Sequence, residues 1–297
     1  MIRPVNFGFN PETAVNNRFQ ADTGMNVQQK ALEEFNGLQG LLDKNHVTLT
    51  VINDTEEPFT PDSIFPNNWI SFHEDGSVFL YPMFAVNRRQ EKKPHILEQL
   101  KKEFLISNVI DLSGYEIDNR FLEGTGSLVL DRVNRIAYAC LSPRTDARLL
   151  DEYCRLAGYT PVSFISKDTA GEDIYHTNVM MCVADAYAVV CLESIPDEKE
   201  KLRLRSCLAT TGKEIIEISL QQVNSFAGNM LQVKNRNDEF LLVMSSQAYR
   251  SLNTAQVSRL QYFNRIVHSP LDMIETSGGG SARCMLAEIY CNRKSSS

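Results

Sequence analysis

The sequence predicts an α/β protein assembled from five similar units, and three observations carry this prediction. Five segments space their apolar residues by three and four positions, which is typical of amphipathic helices. A short apolar run that favours a strand follows each segment, and a polar motif follows each run. The motifs recur at intervals of 52 to 55 positions, and a period of this size indicates a ring or an array of units.

The predicted helices have recognisable ends. Pro94 suits the first turn of the second helix, Thr145 is the expected N-cap of the third, and Gly158 is its expected C-cap residue. The five helices are predicted over about residues 27–45, from 94 onward, 146–157, 197–212 and 246–263. The strands that follow them are predicted at 47–52, 109–112, 161–165, 215–218 and 265–268.

After four of the five motifs, apolar runs on both sides of a turn predict a β-hairpin. The hairpins pair 69–72 with 78–81, 127–130 with 136–140, 179–183 with 188–192, and 230–233 with 240–244. The fifth motif leads instead into 285–289, which we expect to form a single closing strand.

The polar motifs contain the residues with useful chemistry. Asn68, Glu123, His176, Asn229 and Cys284 occupy corresponding positions in the five motifs. If the units close into a ring, these residues meet at its axis, and a Cys, a His and a Glu together form a catalytic set. The alternative is five turn motifs with no shared site, because turns also favour Gly and Asn. For Asn229, a turn role and a place at the centre both remain open.

Composition excludes several classes of protein. The 297 residues are 43% hydrophobic and 23% charged, which is typical of a globular protein with a sizeable core. The net charge of −7 makes a nucleic acid an unexpected partner. The most apolar run, 179–192, is interrupted by Asp185 and is too short to span a membrane. The seven cysteines lack C-x-x-C spacing and the N-terminus lacks a signal-peptide pattern, so we expect a reducing, cytoplasmic location.

At its motifs the chain resembles the arginine deiminase and amidinotransferase superfamily, the pentein fold. The resemblance runs from Arg3 to Met285, and its landmarks are Glu123-Gly124, the His-x-Asn of 176–178, and the glycine-rich run that leads to Cys284. It implies a five-bladed α/β propeller of ββαβ units around a central active site. We expect one catalytic domain over residues 1–297, with residues 292–297 as a disordered tail.

The resemblance assigns the catalytic roles to Cys284, His176 and Glu123. Cys284 would attack as a thiolate, and His176 would act as general acid and then as general base. Glu123 would orient His176 or carry a proton. This chemistry needs no cofactor, and no ligand cluster at metal spacing is present, so we expect no metal. The expected partner is a small amino-acid substrate, and the ring could form a homodimer.

One departure from the guanidine-hydrolysing pattern of the superfamily points to the substrate. Those relatives hold a guanidinium with two Asp residues, and the corresponding positions here are Asn178 and Asn68, with Asn67 beside it. Asn offers a donor and an acceptor, which suits a neutral urea, whereas a guanidinium presents donors only. The chain is therefore similar to the citrulline hydrolase branch, and so is its N-terminal stretch 3–20. We expect cleavage of citrulline to ornithine, ammonia and carbon dioxide.

An amino-acid substrate also needs a partner for its carboxylate, and Arg is the usual residue for that group. Arg120, three residues before Glu123, is the first candidate. Arg18, in an N-terminal stretch that could act as a lid, is the second, although either could form a structural ion pair instead. The basic run 88–93 is expected to be a solvated helix face.

Three other functions remain open from the sequence. A guanidine hydrolase acting on arginine or a methylated arginine needs a carboxylate in its pocket, which Asp118 or Asp62 could supply. An amidinotransferase shares the covalent Cys step, but Asn178 and Asn68 count against its guanidino substrate. A pentein-like ring also occurs in a ribosome-associated factor without catalysis, and a protein of that kind has no need of the Cys, His and Glu set.

Overall fold

The computed structural model describes residues 1–24 and 26–294. Within them, strands form four three-stranded sheets and one two-stranded sheet. The strands are β1 (Ile2–Arg3), β2 (Ile52–Asn53), β3 (Ile70–Phe72), β4 (Ser77–Leu80), β5 (Asn108–Asp111), β6 (Val129–Asp131), β7 (Ile136–Leu141), β8 (Thr160–Ile165), β9 (Met181–Val183), β10 (Tyr187–Val190), β11 (Glu214–Glu217), β12 (Leu231–Lys234), β13 (Phe240–Ser245) and β14 (Arg265–Ser269).

Helices connect the strands and also carry the polar motifs. They are α1 (Pro11–Ala14), α2 (Val27–Lys44), α3 (Val86–Arg89), α4 (Pro94–Glu103), α5 (Gly124–Ser127), α6 (Ala147–Ala157), α7 (Thr177–Met180), α8 (Glu198–Thr210), α9 (Leu220–Val223), α10 (Ser246–Ser251), α11 (Thr254–Phe263) and α12 (Asp272–Gly278), with 3₁₀ turns at Pro66–Asn68, Ser113–Asp118 and Leu192–Ser194.

The four three-stranded sheets share one connection pattern. In the first, β3 and β4 form an antiparallel hairpin with Ile70 opposite Leu80, and β5 pairs parallel with β4. The chain reaches β5 through α4, and α6, α8 and α11 make the same connection in the other three sheets. Each of these units is a hairpin, a helix and a parallel strand. The predicted elements of these four units are confirmed with ends shifted by one or two residues, except for the helix 246–263, which is divided.

The fifth unit departs from the prediction. β1 pairs parallel with β2, and α2 lies between them in the chain, but of the predicted strand 47–52 only Ile52 is in a strand. The prediction of a closing strand at 285–289 is wrong, because these residues form a turn and then irregular chain. Among the described residues no strand pairs with this run, and the carbonyl oxygen of Leu286 accepts from Arg283 Nη1 at 2.8 Å instead.

Two predicted helix boundaries also differ from the structure. The N-cap of α6 is Asp146 rather than Thr145, and its carboxylate accepts a backbone N–H of the first turn. Gly158 ends this helix in the left-handed region at φ 69°, as expected. The predicted helix 246–263 is divided into α10 and α11, because the side chain of Asn253 caps the start of α11.

The end of the described chain is paired with the first sheet unit. The Leu105 N–H donates to the oxygen of Asn292 at 2.8 Å, and the Lys294 N–H donates to the oxygen of Glu103 at 2.9 Å. The predicted tail 292–297 thus begins with residues that pair with the folded chain, and residues 295–297 lie outside the described part of the chain.

The polar motifs of successive units are neighbours in space. Helix α5 contacts the 3₁₀ turn Pro66–Asn68 of the preceding unit and helix α7 of the following one. The buried apolar side chains of the described residues form four clusters. Among residues 1–24 and 26–294, no helix combines the length and the hydropathy that a membrane span requires.

Candidate active site

Cys284 lies in the wall of a small cavity where motifs of several units meet. Its side chain is 4% exposed. Asn229 Nδ2 lies 3.2 Å from the sulfur, and Asn178 Nδ2 lies 3.6 Å from it. The polar side chains that line the same cavity include Asp62, Asn68, Arg88, Arg144 and His176.

The glycine run before Cys284 allows the backbone to pass close to an aromatic ring. A Cβ atom on Gly278 or Gly280 would lie 2.8 or 2.9 Å from the ring of Phe65, which is closer than real Cβ contacts come. Gly279 has φ 62°, and its oxygen accepts a hydrogen bond from the Tyr175 hydroxyl at 2.6 Å. Residues with a side chain would therefore not fit at positions 278 and 280, and the glycines let the chain bring Cys284 to the cavity wall.

His176 lines the cavity and pairs with Glu123 behind it. His176 Nε2 lies 2.8 Å from Glu123 Oε2, and Arg144 Nη1 lies 3.5 Å from the same oxygen. Burial would raise the pKa of Glu123, but the charge of Arg144 and the hydrogen bond of His176 outweigh it and hold this pKa well below its usual range. Burial lowers the pKa of His176 to about 4, against the opposing effect of Glu123. At neutral pH the pair is a carboxylate and a neutral imidazole.

The structure brings Asn68 to the cavity but not Asn67. Asn68 Oδ1 accepts from Arg88 Nη1 at 2.9 Å, and its Nδ2 has no hydrogen-bond partner. The room around this amide depends on Gly126, where a Cβ atom would collide with it and would lie 2.8 Å from the His176 ring. Asn67 is buried beside the cavity, and its backbone oxygen accepts from the Thr125 hydroxyl at 3.3 Å.

Asp62 and Arg88 add opposite charges to the cavity. Asp62 Oδ2 accepts from Asn10 Nδ2 at 2.7 Å and from the Thr13 hydroxyl at 3.1 Å, while its Oδ1 has no partner. Burial raises the pKa of Asp62 despite the nearby Arg88, whose Nε lies 3.9 Å from its Oδ2. Arg88 is only 3% exposed and is paired at 2.7 and 3.0 Å with both oxygens of Glu91.

The burial of Arg88 corrects the expectation that the run 88–93 is a solvated helix face. Lys93 is also buried, and its Nζ lies 2.5 Å from Asp54 Oδ1. These two cations face inward because each meets a buried carboxylate. The spacing of Arg88 and Glu91 by three residues is a sequence signal of such a pair, although it does not say which side of the chain faces the protein.

The N-terminal segment covers the cavity. Arg144 Nη2 donates to the oxygen of Thr13 at 2.7 Å and to the side chain of Asn16. Asn17 Nδ2 donates to the oxygen of Gly279 at 3.3 Å, and Gln20 Nε2 donates to the oxygen of Gly278 at 2.9 Å. The covered cavity has a volume of about 10 Å³, which is the space of one water molecule. A substrate can enter only if this segment moves.

The structure does not bring Arg120 or Arg18 to the cavity. Arg120 Nη2 lies 3.3 Å from Asp146 Oδ1, and its guanidinium lies 4.9 Å from the centre of the Tyr115 ring. Arg18 lies on the N-terminal segment and pairs with Asp168 at 3.1 Å, with 55% of its side chain exposed. The arginines in the cavity wall are Arg88 and Arg144, which sequence reasoning missed. Nothing in the local sequence around Arg144 distinguishes it from other arginines.

The residues at the cavity offer a nucleophile, an imidazole–carboxylate pair and several amides. In the part of the chain that the structure describes, no three His, Cys, Asp or Glu side chains come close enough together to hold a metal ion. The arrangement is suited to covalent catalysis on a small polar group, with proton transfer through His176.

A family model and several solved structures match this chain. The model described as N,N dimethylarginine dimethylhydrolase, eukaryotic, matches residues 3–291. The product-bound N-terminal domain of ArgZ, an arginine dihydrolase from the ornithine–ammonia cycle in cyanobacteria, is 18% identical with a TM-score of 0.72, and the match covers 99% of this chain and 95% of that one.

Two further structures show the same fold. AgrE in a ternary complex with ornithine and NAD+ is 20% identical with a TM-score of 0.72, and the match covers 99% of this chain but only 38% of AgrE. A dimethylarginine dimethylaminohydrolase adduct with 4-chloro-2-hydroxymethylpyridine is 19% identical with a TM-score of 0.62, and the match covers 87% of this chain and 90% of that one. No curated protein sequence matches this chain.

Proposed function

Because this chain belongs to the N,N-dimethylarginine dimethylhydrolase family of the pentein superfamily, we propose that it hydrolyses the ureido group of citrulline to give ornithine, ammonia and carbon dioxide. The membership makes it a hydrolase of carbon–nitrogen bonds other than peptide bonds. The families around it act on guanidino groups, so the assignment to a ureido group depends on the chemistry of this cavity.

Two buried amide atoms without partners carry the proposal. The hydrogen bond from Arg88 fixes the Asn68 amide so that its Nδ2 donor is unpartnered. Asn178 offers the opposite group, because its Nδ2 faces the sulfur of Cys284 and its Oδ1 acceptor is unpartnered. A ureido group has a carbonyl acceptor and N–H donors and can satisfy both amides. A guanidinium has no acceptor for Asn68, and an unpaired buried donor costs about 1–3 kcal/mol.

The head group of the amino acid also has counterparts in the cavity. Arg144 is assigned to the substrate carboxylate, which would replace Thr13 and Asn16 as acceptor when the N-terminal segment moves aside. Asp62, with its unpartnered Oδ1, is assigned to the substrate ammonium. This assignment places the charged end of the substrate near the N-terminal segment and leaves the neutral end for the amides around Cys284.

The mechanism follows from these positions. His176 takes the proton of the Cys284 thiol as the sulfur attacks the ureido carbon, and a bond forms between sulfur and carbon. The bond from that carbon to the ornithine side-chain nitrogen breaks, and this nitrogen takes a proton from His176. His176 then accepts a proton from water, which attacks the S-carbamoyl group and releases the thiolate. The carbamic acid that leaves decomposes to ammonia and carbon dioxide. Glu123 keeps the imidazole oriented throughout.

The arrangement of the whole molecule is part of the proposal. We take the five units to be the blades of a closed propeller in one catalytic domain over residues 1–297, with the cavity on its axis. The contacts of α5 with the motifs on both sides of it support this arrangement. A cytoplasmic location and a homodimer are predictions from the sequence, for which fractionation and light scattering are the measurements.

The test is release of ornithine and ammonia from L-citrulline, run beside L-arginine and a methylated arginine. The Cys284→Ala variant is the matched control, and we expect it to lose turnover while it keeps the wild-type unfolding temperature. Turnover of citrulline but of neither other substrate supports the proposal that the amides of Asn68 and Asn178 bind a ureido group. If Cys284→Ala retains full activity, the covalent mechanism is wrong.

A specific observation favours one other function, which is hydrolysis of a guanidino substrate. The buried Asp62 carboxylate lines the cavity with one oxygen unpartnered, and a carboxylate is the usual partner of a guanidinium. In that case Asp62 would bind the guanidinium of the substrate rather than its ammonium group. Turnover of arginine in place of citrulline in the same assay selects this alternative.

A further inference from the structure

Tyr175 lies directly before His176 and contacts two groups of the candidate site. Its hydroxyl donates to the backbone oxygen of Gly279 at 2.6 Å, and Gly279 belongs to the glycine run that leads to Cys284. The guanidinium carbon of Arg144 lies 4.9 Å from the centre of its ring. One side chain therefore touches both the run that carries the nucleophile and the arginine assigned to the substrate carboxylate.

The position of Tyr175 is itself fixed. The residue is 5% exposed, its backbone oxygen accepts from the Ser142 hydroxyl at 2.8 Å, and it belongs to a cluster of buried apolar side chains. Burial raises the pKa of its phenol, so the hydroxyl keeps its proton and can donate at the pH of an ordinary assay. The contacts with Gly279 and Arg144 thus start from a side chain that has little freedom to move.

The N-terminal segment holds the same two groups while it covers the cavity. Asn17 Nδ2 donates to the oxygen of Gly279 at 3.3 Å, and Arg144 donates to the oxygen of Thr13 and to the side chain of Asn16. A substrate can enter only if this segment moves, and these contacts are lost when it does. The hydroxyl and the ring of the tyrosine do not belong to the segment and stay in place.

The Gly279 oxygen then depends on Tyr175 alone. Among residues 1–24 and 26–294, its two donors are Asn17 Nδ2 and the Tyr175 hydroxyl. Once Asn17 has moved away, the hydroxyl is the remaining partner of this oxygen. Because glycine leaves the backbone free to take other conformations, a run of three glycines needs such a contact to keep one of them.

Arg144 keeps three neighbours when the segment has moved. Glu123 Oε2 lies 3.5 Å from its Nη1, and the rings of Phe84 and Tyr175 lie 5.7 and 4.9 Å from its guanidinium carbon. An aromatic face attracts a planar guanidinium and orients it without occupying its N–H donors. These donors therefore remain available to a carboxylate, and the nearer of the two rings is that of Tyr175.

We propose that Tyr175 is a positioning residue for both ends of the substrate. Its hydroxyl keeps the glycine run, and with it Cys284, in place for attack on the reacting carbon, and its ring keeps Arg144 directed toward the substrate carboxylate. This deepens the proposed function and rests on it in taking Cys284 as the nucleophile and Arg144 as the carboxylate ligand. It does not depend on whether the reacting group is a ureido or a guanidino group.

The test is steady-state kinetics of two variants that separate the hydroxyl from the ring. Tyr175→Phe loses only the hydroxyl, so we expect kcat to fall by about tenfold and KM to stay within about twofold. Tyr175→Leu loses the ring as well, and we expect the same fall in kcat together with a rise in KM of about threefold or more. Tyr262→Phe and Tyr262→Leu, at a position that is 72% exposed, are the matched controls and should leave both constants unchanged.

A purely structural role for Tyr175 would lower the unfolding temperature without separating kcat from KM between the two variants. Two results therefore overturn the proposal. One is a kcat within about twofold of the wild-type value in folded Tyr175→Phe, which keeps the ring and its packing. The other is a KM in folded Tyr175→Leu that is no higher than in Tyr175→Phe. If Tyr175→Leu does not fold, Tyr175→Met takes its place.

Failure of this proposal can be told apart from failure of the proposed function. If the wild-type protein cleaves arginine or a methylated arginine instead of citrulline, the ureido assignment is wrong, and the variants are compared on that substrate. If it cleaves none of the three, binding of ornithine to each protein is measured by calorimetry. Weaker binding in Tyr175→Leu but not in Tyr175→Phe supports the contact of the ring with Arg144. Binding that is equal in all three proteins, or undetectable in the wild type, overturns it.

Discussion

His176 Nε2 lies 2.8 Å from Glu123 Oε2, although the two residues are 53 positions apart in the chain. The carboxylate is ionised and can only accept, so the neutral imidazole carries its hydrogen on Nε2. Nδ1 is then left as the acceptor. This tautomer suits a ring that takes a proton from the nucleophile or from water and returns it to a leaving group.

The acid limb of the pH profile should report the burial of His176. The pKa of this ring is lowered to about 4, so the ring is neutral and able to accept a proton at all higher pH values. We expect kcat/KM to stay level from pH 7 down to about 5 and to fall below that. The measurement is kcat/KM for citrulline from pH 4 to 8, with circular dichroism at each pH to show that the fold persists. A fall centred near pH 6.5 in the folded protein would contradict this prediction.

Asn178→Asp should weaken turnover of a ureido substrate. The change replaces the Nδ2 donor, 3.6 Å from the Cys284 sulfur, with a carboxylate oxygen that repels a thiolate. We expect kcat/KM for citrulline to fall by roughly 100-fold, which corresponds to about 2.7 kcal/mol. Arginine is assayed in parallel, because the new carboxylate suits a guanidinium. Asn224→Asp is the matched control and should keep wild-type kinetics. Unchanged citrulline turnover in Asn178→Asp would remove the basis for the ureido assignment.

Arg144 and Arg120 are two candidates for binding the substrate carboxylate, and the same substitution in each compares them. Arg144 lines the cavity, whereas Arg120 pairs with Asp146. A Lys at position 144 cannot make two parallel hydrogen bonds to a carboxylate, so Arg144→Lys should raise KM by about tenfold or more. Arg120→Lys should leave KM within about twofold, since its partly exposed ion pair with Asp146 lies away from the cavity and contributes little. Steady-state kinetics with citrulline measures both variants. A larger rise in KM for Arg120→Lys than for Arg144→Lys would indicate that Arg120 binds the substrate carboxylate.

Glu275 should make the fold less stable as the pH rises. Its side chain is 2% exposed, its Oε1 accepts from the Ser281 hydroxyl at 2.5 Å, and its Oε2 has no partner. Burial raises its pKa to about 7, above the ordinary value near 4.5. Between these two values the unfolded chain loses its proton first, so this contribution to stability is complete below pH 4.5. It is lost as the pH rises to 7, to an extent of roughly 3 kcal/mol.

Glu275→Gln tests this loss because the amide cannot ionise. The free energy of unfolding is measured by urea unfolding at pH 5 and pH 8 for both proteins. The variant's value minus the wild-type value should be larger at pH 8 than at pH 5. Glu33→Gln, at an exposed position of α2, is the control and should follow the wild-type pH dependence. If Glu275→Gln loses stability equally with rising pH, the group is not responsible.

The local elements were largely accessible to sequence reasoning. Helix α6 and the hairpin of β3 and β4 follow from apolar spacing, because neighbours along the chain determine which face of a helix or strand is apolar. The closing strand at 285–289 was not accessible in this way. An apolar run forms a strand only if a neighbouring strand pairs with its backbone, and among the described residues no strand lies beside this run.

The candidate site divides in the same way. The motif spacing selected Cys284, His176 and Glu123 as a set, and the structure places Cys284 and His176 on one cavity with Glu123 paired behind His176. The arginines that line the cavity are not those that the sequence predicts. Arg120 is nearer in sequence to Glu123 than Arg144 is, yet only Arg144 reaches Glu123, at 3.5 Å. The direction of a long side chain in a loop depends on partners far away in the chain, and these partners are absent from any local pattern.

By itself the sequence determined the α/β class, the repeated hairpin–helix–strand units and the order of the polar motifs, because these depend on local backbone preferences and apolar spacing. Only the tertiary structure decided that Arg88 is buried with Glu91, that the N-terminal segment covers the cavity, and that Asn229 reaches Cys284. Each of these contacts joins groups that are free to point elsewhere until the packed units bring a partner within about 3 Å, and only then does a hydrogen bond select one direction.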